Sequence, residues 1–230
     1  MLRLFFLCTR RAELSHGAYL EHLLVRHAPL ALRHHARLRG YAIFAVDEAL
    51  AGAEPLDSIN ALDYDALADF TAQAYDSPDG ERAVTEDHTR FLGGAAGYAA
   101  ERVLLHDAQP EVPLGSATPG VQWLCALRRR PELALERFER ALVDALVPDL
   151  LASQPGATRV ALGRRVARLF PESAPEWDAV LELGFADGAR APLHPFDSPD
   201  CAGVLRRRVA ALASRADVWR VREHVQRRAS

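Results

Sequence analysis

Arg10-Arg11-Ala12-Glu13-Leu14 returns 119 residues later as Arg129-Arg130-Pro131-Glu132-Leu133, and this echo decides how the chain is read. The same displacement carries Tyr19 onto Phe138, Pro29 onto Pro148 and, without a gap, Ile43 onto Leu162. Further on, Tyr64-Asp65-Ala66-Leu67-Ala68-Asp69-Phe70 matches Trp177-Asp178-Ala179-Val180-Leu181-Glu182-Leu183 at 113, which puts six extra residues into the first copy between positions 47 and 63. Tyr75-Asp76-Ser77-Pro78-Asp79 then matches Phe196-Asp197-Ser198-Pro199-Asp200 at 121, and that offset also places Tyr98 on Trp219. Four blocks in one order point to an internal duplication. Residues 107–120 hold three prolines and two glycines with no hydrophobic period, so they read as a linker between copies at 1–106 and 121–230.

Within a copy, period separates the elements. Leu2 to Thr9 and Val121 to Leu127 are short apolar runs whose length predicts a buried first strand. Ser15 is an N-cap for a helix whose apolar face carries Tyr19, Leu23, Leu30 and Ala31. Tyr41 to Val46, aromatic and β-branched, predicts the second strand, and Tyr64 to Thr71 the third. Ser77-Pro78-Asp79 starts a second helix, because the serine accepts an orphan amide, the proline has none to waste, and the acid meets the positive end of the dipole. Ser198-Pro199-Asp200 is its counterpart. A last strand is expected from Tyr98 to His106 and from Trp219 to Gln226. The order βαββαβ gives an α+β class chain of two tandem ferredoxin-like plaits. Each plait has helices on one face only, so the two bare sheet faces are expected to pack sheet to sheet as a pseudo-twofold α/β barrel.

Composition removes several functions. The 230 residues are 49% hydrophobic and 26% charged with a net charge of −3, an ordinary globular balance without the positive excess that phosphate backbones demand. All 28 basic residues are arginine, which excludes a lysine Schiff base, a pyridoxal-phosphate anchor and a phosphate-loop lysine. The Gly-x-Gly-x-x-Gly dinucleotide fingerprint is absent as well. Leu4 to Cys8 is too short for a signal sequence or a membrane span, so a soluble chain starting at Met1 is expected. Cys8, Cys125 and Cys201 form no Cys-x-x-Cys pair and are odd in number, which suggests core thiols in a reducing cytoplasm.

The first copy resembles the EthD-like family of dimeric α/β-barrel proteins. The residues that carry the likeness are Arg10-Arg11, Arg26-His27-Ala28-Pro29-Leu30-Ala31, Leu38-Arg39-Gly40-Tyr41, Tyr64-Asp65, Ser77-Pro78 and Glu86-Asp87-His88-Thr89-Arg90-Phe91. The second copy keeps the layout but has Leu146 at His27, Val147 at Ala28, Arg159 at Gly40 and Arg208 at Asp87. The resemblance implies a small-molecule enzyme, either a cofactor-independent oxidoreductase or a dehydratase or cyclase, acting on apolar aromatic or polyketide-like compounds.

His27 follows Leu23 by four and precedes Leu30 by three, so it projects from the apolar face of the first helix, where an imidazole serves as general acid or base or else as a satisfied core residue. Pro29 removes the amide that would meet the Val25 carbonyl and opens the helix beside it; Pro148 does so without a histidine, so the opening is structural. Val84, Asp87 and Phe91 share the buried face of the second helix. The Asp87 carboxylate then needs a partner, and His27, whose pKa it would raise, competes with Arg10, Arg11 and the backbone for that place. Tyr41 stands where the other copy has Val160, so its hydroxyl occurs only in the half with His27, as a pocket residue or as packing. Asp65, retained as Asp178, reads as structural. Catalysis is therefore assigned to His27, with Asp87 and Tyr41 as helpers, in the barrel interior or in the helix-sheet cleft of the first copy.

Seven of nine histidines lie in that copy, but no His-x-x-x-His pair has an adjacent acid, so no metal is expected, and haem ligation by His106 or His27 ranks lower still. Arg39-Gly40-Tyr41-Ala42-Ile43-Phe44 has the look of an RNA-recognition strand, yet the acidic balance and the need to bury that sheet face argue against nucleic acid. The rival to an enzyme is a non-enzymatic binding or structural barrel, to be told apart by whether a cavity of several hundred Å³ meets His27. Homodimerisation through the helices stays open.

Overall fold

The structure, a computed structural model, describes residues 1–50, 52–186, 192–197 and 203–228. Eight strands, β1 (Leu2–Arg10), β2 (Gly40–Ala49), β3 (Ser58–Tyr64), β4 (Leu92–Asp107), β5 (Val121–Arg129), β6 (Ala157–Phe170), β7 (Ala179–Phe185) and β8 (Ala213–Arg227), close into one antiparallel barrel in the order β1-β3-β2-β8-β5-β7-β6-β4. Among the described residues five helices lie outside it: α1 (16–34), α2 (Leu67–Thr71), α3 (Pro78–Phe91), α4 (135–153) and α5 (Val204–Leu212). Among the described residues no helix is long and apolar enough to cross a membrane.

Strand alternation explains the layers. Along β1, Leu4 and Cys8 turn outward to Tyr19, Leu23 and Ala31 of α1, while Phe5 turns inward to Phe44, Tyr98, Trp177 and Trp219. Along β5, Trp123, Cys125 and Leu127 face Phe138, Leu142 and Leu146 of α4, and Leu124 and Ala126 face the barrel. Three cores result, one inside the barrel and one under each helix layer. Both Cys8 and Cys125 are buried in them; Cys201 lies outside the described residues. The middle of the barrel is filled, with a gap of only about 10 Å³ among Phe5, Leu124, Trp177 and Trp219. At one end, Arg3 sits between Asp63 (2.7 Å) and Glu182 (2.8 Å), joined by Arg102 (3.1 Å). Burial opposes the Glu182 carboxylate, but Arg102, Arg3 and Arg159 outweigh it and bring its pKa down to about 2. Such a network costs desolvation that its own pairing offsets, so loss of one partner would strand a buried charge.

The two four-stranded sets share their inward faces in the barrel core and also meet edge to edge, through β2 with β8 and β4 with β6, so hydrogen bonds close the barrel. An unpaired strand edge would otherwise invite another chain. Residues 1–107 expressed alone are therefore expected to dimerise or aggregate by sedimentation velocity, and a monodisperse monomer would contradict the shared barrel.

The third strand is a correction. It runs over Ser58–Tyr64 and stops where the expected strand began, and Leu67–Thr71 is helical. The matching strand β7 lies 121 residues on, not 113, so the second half carries two extra residues and the first does not carry six. The aspartate shared by the halves is consequently Asp57, not Asp65. Asp57 accepts the Arg10 amide at 2.7 Å and Asp178 accepts the Arg129 amide at 2.8 Å. The arginine pairs are framework too. Arg10 and Arg129 also donate to the carbonyls of Leu14 and Leu133, and Arg11 and Arg130 to those of Thr89 and Ala210. Asp65 instead holds Arg39 at the surface. The last strands begin earlier than expected, at Leu92 and Ala213. The Ser15 and Ser77 caps form as read, by bonds from the Ala18 and Gly80 amides, while Ser198-Pro199-Asp200 lies outside the described residues.

Candidate active site

The proline in α1 has a definite consequence. With Pro29 unable to donate, the helix passes through a π-helical stretch at His22–His27, and the Ala28 amide bonds Leu23 five residues back. The same occurs at Leu142–Leu146 ahead of Pro148. In an α-helix residues five apart diverge, whereas in a π turn they fall close to one line. His22 and His27 thereby reach the same carboxylate.

That carboxylate is Asp87. On the buried face of α3 between Val84 and Phe91, its Oδ2 lies 3.0 Å from His27 Nδ1 and its Oδ1 3.0 Å from His22 Nε2. Neither Arg10 nor Arg11 is its partner; Arg90 stands 3.8 Å away. Burial opposes the charge of Asp87, but the hydrogen bonds from His27 and His22 outweigh it and keep its pKa below the ordinary carboxylate value. As an acceptor Asp87 fixes the His27 proton on Nδ1, leaving Nε2 as the basic nitrogen. The expected rise in the His27 pKa does not occur. Burial, reinforced by His88, outweighs Asp87 and holds it down to about 4, so the imidazole is neutral at physiological pH. The His27 ring packs 4.6 Å from that of His88 and 4.9 Å from that of Phe91.

His27 opens onto a cavity of about 300 Å³ between the helices and the outer face of the first four strands. Tyr41 lines it from β2, as do His35, His88, Cys8 and Asn60, and Phe6, Phe70 and Phe170 are among its apolar walls. The middle of the barrel is filled whereas this helix-sheet cleft is hollow; His27 and Tyr41 line it, and Asp87 stands behind His27, bonded to its Nδ1. Burial raises the Tyr41 pKa, so its phenol stays protonated and able to donate. His35, 3.0 Å from the Tyr64 hydroxyl, is likewise held near 4, first by burial and then by His88. Burial pushes the Cys8 thiol up to about 12, which leaves it unreactive as a nucleophile at neutral pH. Among the described residues no group of three or more His, Cys, Asp or Glu side chains is arranged to hold a metal ion.

In the second half the corresponding space is core. Leu142, Leu146, Leu150 and Val160 are fully buried in one cluster, and Arg208, in place of Asp87, pairs with Asp149.

No family model matches the chain, and no curated protein matches it in sequence. Solved structures do. A candidate monooxygenase from Fusobacterium nucleatum superposes with a TM-score of 0.63 at 9% identity, covering 100% of this chain and 94% of its own. An anthrone oxidase-like protein superposes at 0.60 and 11% identity, covering 98% of this chain and 93% of its own. A candidate monooxygenase from Lactobacillus acidophilus gives 0.56 and 12%, covering 98% and 96%. The fold is shared. At these identities the likeness concerns the whole barrel with its helices, and the chemistry rests on the residues of this chain.

His22, His35 and His88 were not among the residues singled out for chemistry. The signal for His22 was its spacing of five from His27 just ahead of a helix-opening proline. His88 is next to Asp87 and lies off the 84-87-91 line, so periodicity alone would place it at the edge of the buried face.

Proposed function

We propose that the cavity beside His27 binds a small, largely apolar aromatic or polyketide-like molecule and that His27, oriented by Asp87, moves a proton on it. The observation that supports this most directly is the pairing of a neutral imidazole, its Nδ1 proton held by a buried carboxylate, with an apolar cavity of about 300 Å³. A base with a pKa near 4 is weak, so it suits a substrate whose anion is delocalised over a ring and stabilised by a donor, a role for the Tyr41 hydroxyl. Nε2 takes the proton and the electron pair of the broken bond passes into the conjugated system. Dioxygen, as the oxidant, then adds at the carbon that lost the proton, the imidazolium returns its proton to the outer oxygen, and the hydroperoxide so formed loses water to leave a carbonyl, an oxidation without an organic cofactor. Alternatively the imidazolium, a strong acid at this pKa, returns the proton to a departing hydroxyl and water leaves. Both reactions read for the sequence, the oxidoreductase and the dehydratase or cyclase, start from this one step. The names of the neighbours, monooxygenase and anthrone oxidase-like, favour the oxidative branch.

On this reading the chain is an EthD-like tandem duplication in which 1–106 carries the site, 107–120 connects, and 121–230 is a second ferredoxin-like unit that closes the barrel. The test is hydrogen exchange on an aromatic carbon acid. In deuterated buffer the protein is expected to accelerate exchange at the benzylic C–H of 2-tetralone, followed by proton NMR. Uptake of 2-tetralone without acceleration would make the cavity a carrier site, and absence of both would remove the reading.

A further inference from the structure

One wall of the cavity comes from the other half of the chain. Phe170, the last residue of β6, pairs in register with Gly97 of β4, which in turn pairs with Phe6 of β1. The Phe170 ring lies over the bare glycine: a Cβ at position 97 would come 2.7 Å from ring atom Cε1. Across it the Phe6 ring is 6.0 Å away, and Phe70 of α2 stands 5.6 Å from Phe6. Phe170 is 40% exposed although it touches the cavity, and Phe6 and Phe70 are half-buried beside it. A large aromatic side chain left this open, with two more rings in a chain of tilted contacts, forms a partly exposed apolar mouth.

Resting on the proposed binding of an aromatic molecule at His27, we infer that Phe170 is a specificity-determining residue of the cavity and that its ligands are fused, at least bicyclic, aromatics. The first ring of such a ligand reaches toward His27 and the second lies against the Phe170 face. A single ring fills the inner space without meeting Phe170. The glycine at 97 serves this arrangement by letting the ring lie low enough to border the cavity. It also ties the second half to the first half's chemistry, since without β6 the mouth would lack one of its three rings.

The experiment compares ligands of one and two rings, 2-naphthol by fluorescence titration and phenol by its displacement of 2-naphthol, on the full chain. In Phe170→Ala the Kd for 2-naphthol is expected to rise roughly three- to tenfold, the value of one ring-on-ring contact, with phenol changed less than twofold. Phe170→Leu, which keeps an apolar cover over Gly97, is expected to lose the same preference while melting close to wild type. Equal loss for both ligands in both variants would mean that Phe170 only supports the fold, and unchanged naphthol binding would mean that the ligand never meets it; either overturns the inference while leaving the His27 cavity standing. Failure of wild-type protein to bind 2-naphthol at all would overturn the cavity reading itself and this inference with it.

Discussion

His27→Ala is expected to lower the exchange rate of 2-tetralone by on the order of 10²-fold or more while leaving the protein folded. The variant removes the basic Nε2 and leaves Asp87 with His22 as its remaining close partner, so the carboxylate stays hydrogen-bonded and the cavity only grows. A cost within roughly 0.5–3 kcal/mol of stability is what such a change brings. The pseudo-equivalent Leu146→Ala should behave in the opposite way. Leu146 is fully buried among Leu142, Leu150 and Val160, where truncation leaves a void, and roughly 2–5 kcal/mol should be lost with the exchange rate per folded molecule unchanged. Denaturant unfolding and the exchange assay on the two variants decide the matter. If His27→Ala unfolds the protein and the surviving folded fraction retains its rate, the histidine is core and the assignment falls.

The candidate site is read in the sequence from the difference between the two halves. His27, Asp87 and Tyr41 correspond to residues of different chemistry in the other copy, Leu146, Arg208 and Val160; His27 and Tyr41 line the cavity, and Asp87 bonds His27. The third strand was hidden for a physical reason. Ser58–Tyr64 is buried on both faces, so no polar-apolar alternation marks it, and its polar residues have buried partners: Ser58 with the Tyr19 hydroxyl at 2.7 Å, Asp63 with Arg3. Its counterpart Ala179–Phe185 is almost wholly apolar, and letter matching therefore preferred the Tyr-Asp and Trp-Asp pairs at the wrong offset. The pairing of His22 with Asp87 was hidden by helix geometry, because a reading at 3.6 residues per turn separates His22 from His27. What the sequence did contain was the cause, Pro29, and the same cause acts in both halves.

Acid is expected to destabilise this protein before most of its carboxylates titrate. His27 and His35 are both buried, each held near pKa 4 against an ordinary value of about 6.5 in the unfolded chain. Between those values the unfolded chain takes up protons that the folded one refuses, so stability is full above about pH 6.5 and falls as the pH drops through the window toward 4. Each imidazole accounts for about 3 kcal/mol by the bottom of that window, a large share of a typical folding free energy. His88, also lowered by burial, acts in the same direction. Asp87, whose pKa is depressed, withdraws its own contribution only at lower pH, as it is protonated. Urea unfolding at pH 7, 6, 5 and 4.5 is therefore expected to show a midpoint that falls steadily below pH 6.5. In His27→Leu, which copies the residue of the second half, the slope should drop by about the share of one proton, since the unfolded chain then has one fewer site to fill. A midpoint independent of pH between 6.5 and 4.5 in the wild type would show that these imidazoles reach solvent, and the neutral, carboxylate-oriented His27 on which the proton transfer depends would be lost with it.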